Sequence, residues 1–147
     1  MTNQAGRLAK LIAAAGLLIV VVCFTDQDSS PLLRVYTTEI TAEDFPQDYP
    51  FDPEPLFGKY ELTFAKGNRH HCTLDGEFLV EGSQTFTEER IEFNDDKGGV
   101  ACARTPGWAT GTYKWKLEGD KLTFKVIEDK CLPRRFCLTA RPWEKKQ

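Results

Sequence analysis

Three regimes of hydrophobic and polar pattern divide the chain. Residues 11–24 are apolar without a single charge. Residues 45–55 set Pro46, Pro50, Pro53 and Pro55 among aromatic and acidic side chains. From Phe57 onward hydrophobic and polar positions alternate, which is the period of a strand with one buried face. Over residues 58–65, Tyr60, Leu62 and Phe64 share one side while Lys59, Glu61 and Thr63 share the other.

Turn signals interrupt the alternation. Segments 70–74 and 77–81 flank Asp75-Gly76, a dipeptide suited to a two-residue hairpin loop. Segments 84–87 and 90–94 flank Glu88-Glu89, a register that sets Phe86 opposite Ile91. Segments 111–118 and 121–128 flank Gly119-Asp120, which pairs Leu117 with Leu122, Trp115 with Phe124 and Tyr113 with Val126. All six of those side chains face one side, so turn chemistry and burial pattern agree. Residues 136–140 read as a last strand, and residues 32–38 as a leading one. With no long amphipathic helix after residue 25, the pattern predicts an all-β fold. Its strands are short and antiparallel and follow one another as a meander. Closure into a small barrel over 57–143 removes exposed strand edges.

The first 25 residues read as an export segment. Arg7 and Lys10 precede the apolar run, and Asp26 and Asp28 follow it. A positive flank before an apolar stretch is the pattern of a secretory signal. A spanning helix needs about 20 apolar residues, which the run from Leu8 to Thr25 approaches. The charge order sends the C-terminal part outward. Three fates stay open: a cleaved signal, a retained membrane anchor, and a lipoprotein with Cys23 as the lipidation candidate. Residues 26–56 hold the leading strand and an acidic, Pro-rich linker, and residues 144–147 form a tail. In the linker Thr41 is placed to cap one helical turn, with Glu43 and Asp44 behind it. The proline density reads as an extended spacer; the alternative is a lid closing the barrel mouth through Phe45, Tyr49 and Phe51.

Composition narrows the partners. The 147 residues carry 19 basic and 22 acidic side chains, a formal charge of −3. A dedicated nucleic-acid binder would carry a basic excess, so none is expected. Cys72, Cys102, Cys131 and Cys137 lie beyond the export segment. In an exported domain they suggest two disulfides. The favoured pairing is Cys102–Cys131, clipping the irregular 95–110 loop to the long hairpin, with Cys72–Cys137 joining an early strand to the last one. His70, His71 and Cys72 do not form a convincing metal set. Adjacent histidines on a strand point to opposite faces, and paired Cys-x-x-Cys steps are missing. No metal or cofactor is expected.

Gly58-Lys59-Tyr60 at the first barrel strand, with Arg141 after the last, resembles the calycin signature of lipocalins and their relatives. There a Gly-x-Trp opens the barrel and a late arginine packs across the aromatic ring; here Tyr60 takes the ring position. The stretch 111–124, followed by Glu128-Asp129-Lys130-Cys131, is similar to a recurring segment of small exported bacterial lipocalin-like proteins. The resemblance implies a lipocalin-like barrel closed by Gly58, Tyr60 and Arg141.

These readings lead to a non-enzymatic binding module, exported and attached to the cell envelope or secreted. Its candidate pocket residues are Tyr60, Phe64, Phe78, Phe93, Tyr113, Trp115 and Phe124, an aromatic set suited to a small apolar or aromatic ligand. The alternative is an envelope interaction or structural domain without a cavity. It would act through loop 95–108, with Arg104 and Trp108 as contact residues. The membrane enters as a partner through the N-terminal segment. An enzyme is not expected. His70 or His71 with Glu128 or Asp129 form no nucleophile–base–orienter set by spacing. The histidines read as exposed strand or turn residues. Asp95-Asp96 read as turn acids, and Lys130, Arg134, Arg135, Lys145 and Lys146 as solvated cations.

Overall fold

The computed structural model describes residues 32–147. The export segment, Cys23 and residues 26–31 lie outside the described residues. Eight strands, each antiparallel to its neighbours in chain order, form a closed barrel. They are β1 (Val35–Ile40), β2 (Gly58–Ala65), β3 (Arg69–Leu74), β4 (Glu77–Phe86), β5 (Arg90–Gly98), β6 (Thr110–Glu118), β7 (Lys121–Asp129) and β8 (Trp143–Lys145). One helix, α1 (Leu132–Thr139), stands between β7 and β8. Among the described residues no helix is long and apolar enough to cross a membrane.

The hairpins follow the expected chemistry. Asp75 and Gly76 both take positive φ, 52° and 85°, as a tight two-residue turn requires. Phe86 lies opposite Ile91. Leu117, Trp115 and Tyr113 lie opposite Leu122, Phe124 and Val126. A bulge at Ile127 then shifts the phase of β7, so that Asp129 turns inward beside Gly111 while Val126 stays more than one-third exposed.

Two parts of the pattern resolve differently. Residues 136–139 belong to α1, and the last strand is β8. Pro133 sits in the first turn of α1, where its missing N–H costs nothing. Arg134, Cys137 and Leu138 then fall on one buried helical face, at spacings of three and four. The leading strand is a barrel strand. β1 pairs with β2 from Val35↔Thr63 to Ile40↔Gly58 and closes the ring on β8 through Tyr36↔Lys145 and Thr37↔Glu144. The barrel therefore starts at β1 rather than at Phe57.

The interior is filled by Tyr36, Ile40, Tyr60, Leu62, Phe93, Tyr113, Leu122 and Trp143, each almost wholly buried. Each such apolar side chain contributes roughly 1.5–3 kcal/mol by leaving water. The connections divide by end. Loops 66–68, 87–89 and 119–120 are short and lie at one end. Segments 41–57, 99–109 and 130–142 are long and gather at the other, beside the Asp75-Gly76 turn. That second end is the covered one.

Candidate functional site

Three segments cover the barrel mouth. The first is α1. The second is loop 99–109, stapled to the residue before α1 by the Cys102–Cys131 disulfide. The third is the Pro-rich segment, which folds back rather than spanning open space. Phe45 stacks on Phe136 of α1 with centroids 3.9 Å apart, and Tyr49 meets both rings. Phe51 stays exposed. Thr41 caps the 42–44 turn, its N–H donating to Asp44 Oδ2 at 2.8 Å.

Beneath this cover lies a cavity of about 40 Å³. Its walls are mostly apolar, with Leu62, Phe93, Leu138 and Trp143 prominent, and Arg134, Asp95 and His70 supply the polar edge. Cys72 and Cys137 also reach it.

The polar edge belongs to a buried network that the sequence did not announce. Arg134 Nε and Nη2 donate to the two oxygens of Asp129, both at 2.8 Å. Arg134 Nη1 donates to Asp95 Oδ2 at 2.8 Å and to the Ala109 carbonyl at 2.6 Å, and Nη2 also reaches the Trp108 carbonyl at 3.1 Å. Asp129 accepts further bonds from the Cys131 N–H and the Tyr113 hydroxyl. Burial alone would lower the Arg134 guanidinium's pKa, but Asp129 and Asp95 outweigh it and raise it above its ordinary value. Burial, reinforced by Asp129, raises the Tyr113 phenol. The guanidinium thus ties β5, β7 and loop 99–109 to α1.

Several expectations are corrected here. Arg134 is buried, not a solvated cation, and Asp95 is an inward residue of β5, not a turn acid. His70 is buried on β3, its Nδ1 3.2 Å from Gln84 Oε1. Of the aromatic pocket set, only Tyr60 and Phe93 reach the cavity. Phe64, Tyr113 and Phe124 are core residues packed around Phe93. Phe78 is 52% exposed at the start of β4, where the register shifts between Cys72 and Thr73. Trp115 is partly buried towards the short-turn end, its indole N–H donating to the Thr87 carbonyl at 3.0 Å.

The closing group differs too. Gly58 and Tyr60 open β2 as expected. Arg141 does not lie on Tyr60; its Nε donates to Asp44 Oδ1 at 2.6 Å, tying the Pro-rich segment to the α1–β8 connection. Trp143 takes the expected place, meeting Tyr60 edge-on at 6.3 Å with its indole N–H on the Leu138 carbonyl. Cys72 and Cys137 are free buried thiols rather than a bridge. Because Cys137 lies in α1, it points down into the barrel from the cover, and its Sγ donates to the Tyr60 hydroxyl at 3.4 Å. Burial raises both thiols, Cys137 to about 11. Trp108 is 37% exposed and Arg104 is exposed, so both loop residues face solvent.

Period two does place Asp95 on the face of Ile91 and Phe93, and His70 on that of Cys72. That phase was the available signal. The eight-stranded closed antiparallel barrel is consistent with a calycin-like fold. Compared with protein families, curated proteins and solved structures, the chain finds no match.

Proposed function

We propose that this barrel is a non-enzymatic binding module, working outside the cytosol, that holds a compact ligand in the cavity beneath α1. One observation carries the reading: an otherwise packed barrel keeps a hollow under its covered mouth, with an apolar wall and a polar edge. The size sets the ligand. A hollow of about 40 Å³ is far below the roughly 150 Å³ that admits benzene in an apolar core. The aromatic ligand suggested by the sequence gives way to a molecule of a few heavy atoms. The Cys102–Cys131 staple supports an oxidising compartment, and with it export to the envelope or beyond.

The test is a screen of compact molecules against the full chain by ligand-observed NMR, repeated on Cys72→Leu. Cys72 lines the hollow, so the larger side chain is expected to occupy part of it. Saturable binding to the wild type that Cys72→Leu abolishes supports the module. Binding to neither protein overturns it. A second reading, docking of a protein through loop 95–108, rests on the exposure of Trp108.

A further inference from the structure

The outer face of β5, β6 and β7 carries its charge in two bands. Arg90, Lys114 and Lys125 lie directly opposite one another across the three strands, and all are exposed. The next outward row towards the cover is Glu92, Thr112 and Glu128, with both acids exposed. Successive rows on one face of a sheet stand about 7 Å apart. The bulge at Ile127 makes the second row possible. It adds a residue to β7, so Lys125 and Glu128 share the outer face although they are three positions apart.

Like charges directly opposite one another are unfavourable within a sheet. The acids one row away do not relieve them. Among the described residues none of Arg90, Glu92, Lys114, Lys125 and Glu128 enters an ion pair. Elsewhere on the barrel exposed charges do find partners: Lys97 pairs with Glu81, Lys121 with Glu144 and Lys146 with Glu61.

Two opposite bands side by side are self-complementary. A two-fold axis along the rows, midway between them, sets the basic row of each copy over the acidic row of the other. Arg90 then meets Glu92 and Lys125 meets Glu128, twice each, while Lys114 lies over the Thr112 hydroxyl. Val126 and Ile127, 37% and 43% exposed between Lys125 and Glu128, bring apolar surface to the margin of the same contact. An unrelated polyanion would satisfy the basic row and be repelled by the acidic one. A second copy serves both.

We infer that the outer face of β5–β7 is a self-association surface and that its occupant is a second copy of this chain. The two barrels then run in opposite directions, and the contact leaves the cover of each copy free. This association does not depend on the binding-module reading.

Sedimentation velocity on the full chain tests it with paired charge reversals at exposed positions. Glu92→Lys/Glu128→Lys leaves both rows basic, and Arg90→Glu/Lys125→Glu turns the ends of the basic row acidic. The wild type is expected to dimerise reversibly at low salt and to dissociate as salt screens the pairs. Each variant alone should dimerise at least about tenfold more weakly. Mixed one to one, the two variants should regain the wild-type association, because every facing pair is again of opposite sign. Thermal melts check that each variant is folded; should a double change unfold, Glu128→Lys and Lys125→Glu repeat the two arms singly. A wild type that stays monomeric at low salt up to about 1 mM overturns the inference. So does association that neither variant weakens, which would run through another surface such as the apolar run 11–24. A mixture that associates no better than its components overturns it as well.

Discussion

Arg134 and Asp129 are five residues apart in the chain and meet through two parallel hydrogen bonds of 2.8 Å, Nε to Oδ2 and Nη2 to Oδ1. The geometry is the planar fork that only an arginine supplies. Arg134→Met removes it and leaves Asp95 and Asp129 buried without a counter-charge. The expected loss is about 3–5 kcal/mol of stability, read from denaturant midpoints. Arg134→Lys should recover only part of it, because a point charge cannot serve both acids in this geometry.

Gly111 makes that fork possible. A Cβ there would overlap Asp129 Oδ2 and stand 2.9 Å from Arg134 Nη2. Gly111→Ala is expected to destabilise by about 1–3 kcal/mol through forced displacement of the pair. Gly99→Ala, with nothing within 4 Å of the new methyl, should stay within about 0.5 kcal/mol. Thermal melts of the two variants decide the point.

The sequence made the barrel wall legible and the cover illegible, for physical reasons. Turn dipeptides and period two are local, and they set the register of the β6–β7 hairpin through Leu117↔Leu122 and Trp115↔Phe124. α1 is eight residues long, and Phe136, Cys137 and Leu138 within it suit a strand as well as a helix. Only the packing of Arg134, Cys137 and Leu138 over the mouth decides between them. Asp129 was hidden by the bulge at Ile127, which no local pattern foretells. Arg134 looked solvated because its two acids come from β5 and β7, and Asp95 lies 39 residues away.

The staple between Cys102 and Cys131 closes a loop of 29 residues. Chain-entropy reasoning gives it about 3–4 kcal/mol. The double variant Cys102→Ser/Cys131→Ser should lose up to that amount. Its amide hydrogen exchange should quicken over 99–109 and α1 before it does so in β2 or β6.

Cys72 and Cys137 should resist alkylation in the native state. Burial holds both thiols protonated, Cys137 to about 11 and Cys72 higher still. Iodoacetamide at neutral pH is expected to label neither, and denaturant should expose both. Peptide mapping reads the label at Cys72 and Cys137 separately from Cys23. Label at both positions only after unfolding supports free thiols, and none there after unfolding would mean that they are bridged.

Acid should loosen the Pro-rich segment first. Burial pushes the Asp44 carboxyl up, but hydrogen bonds from Arg141 and Thr41 prevail and hold it below its usual value of 3.8. A carboxyl depressed in the fold lends stability above its unfolded value and loses it as pH falls through the folded one. The melting gap between wild type and Asp44→Asn should therefore be widest near neutrality and close below about pH 4.

β1 begins and β8 ends side by side, with the Lys146 N–H donating to the Val35 carbonyl at 2.8 Å. This junction sits among the short turns, at the pole opposite α1. A fluorophore, a purification handle or a solid support joined beyond Lys146 would therefore stand at the pole opposite the cover. Immobilised by that pole, the domain would present its cover to solution, the orientation a surface-based binding assay needs.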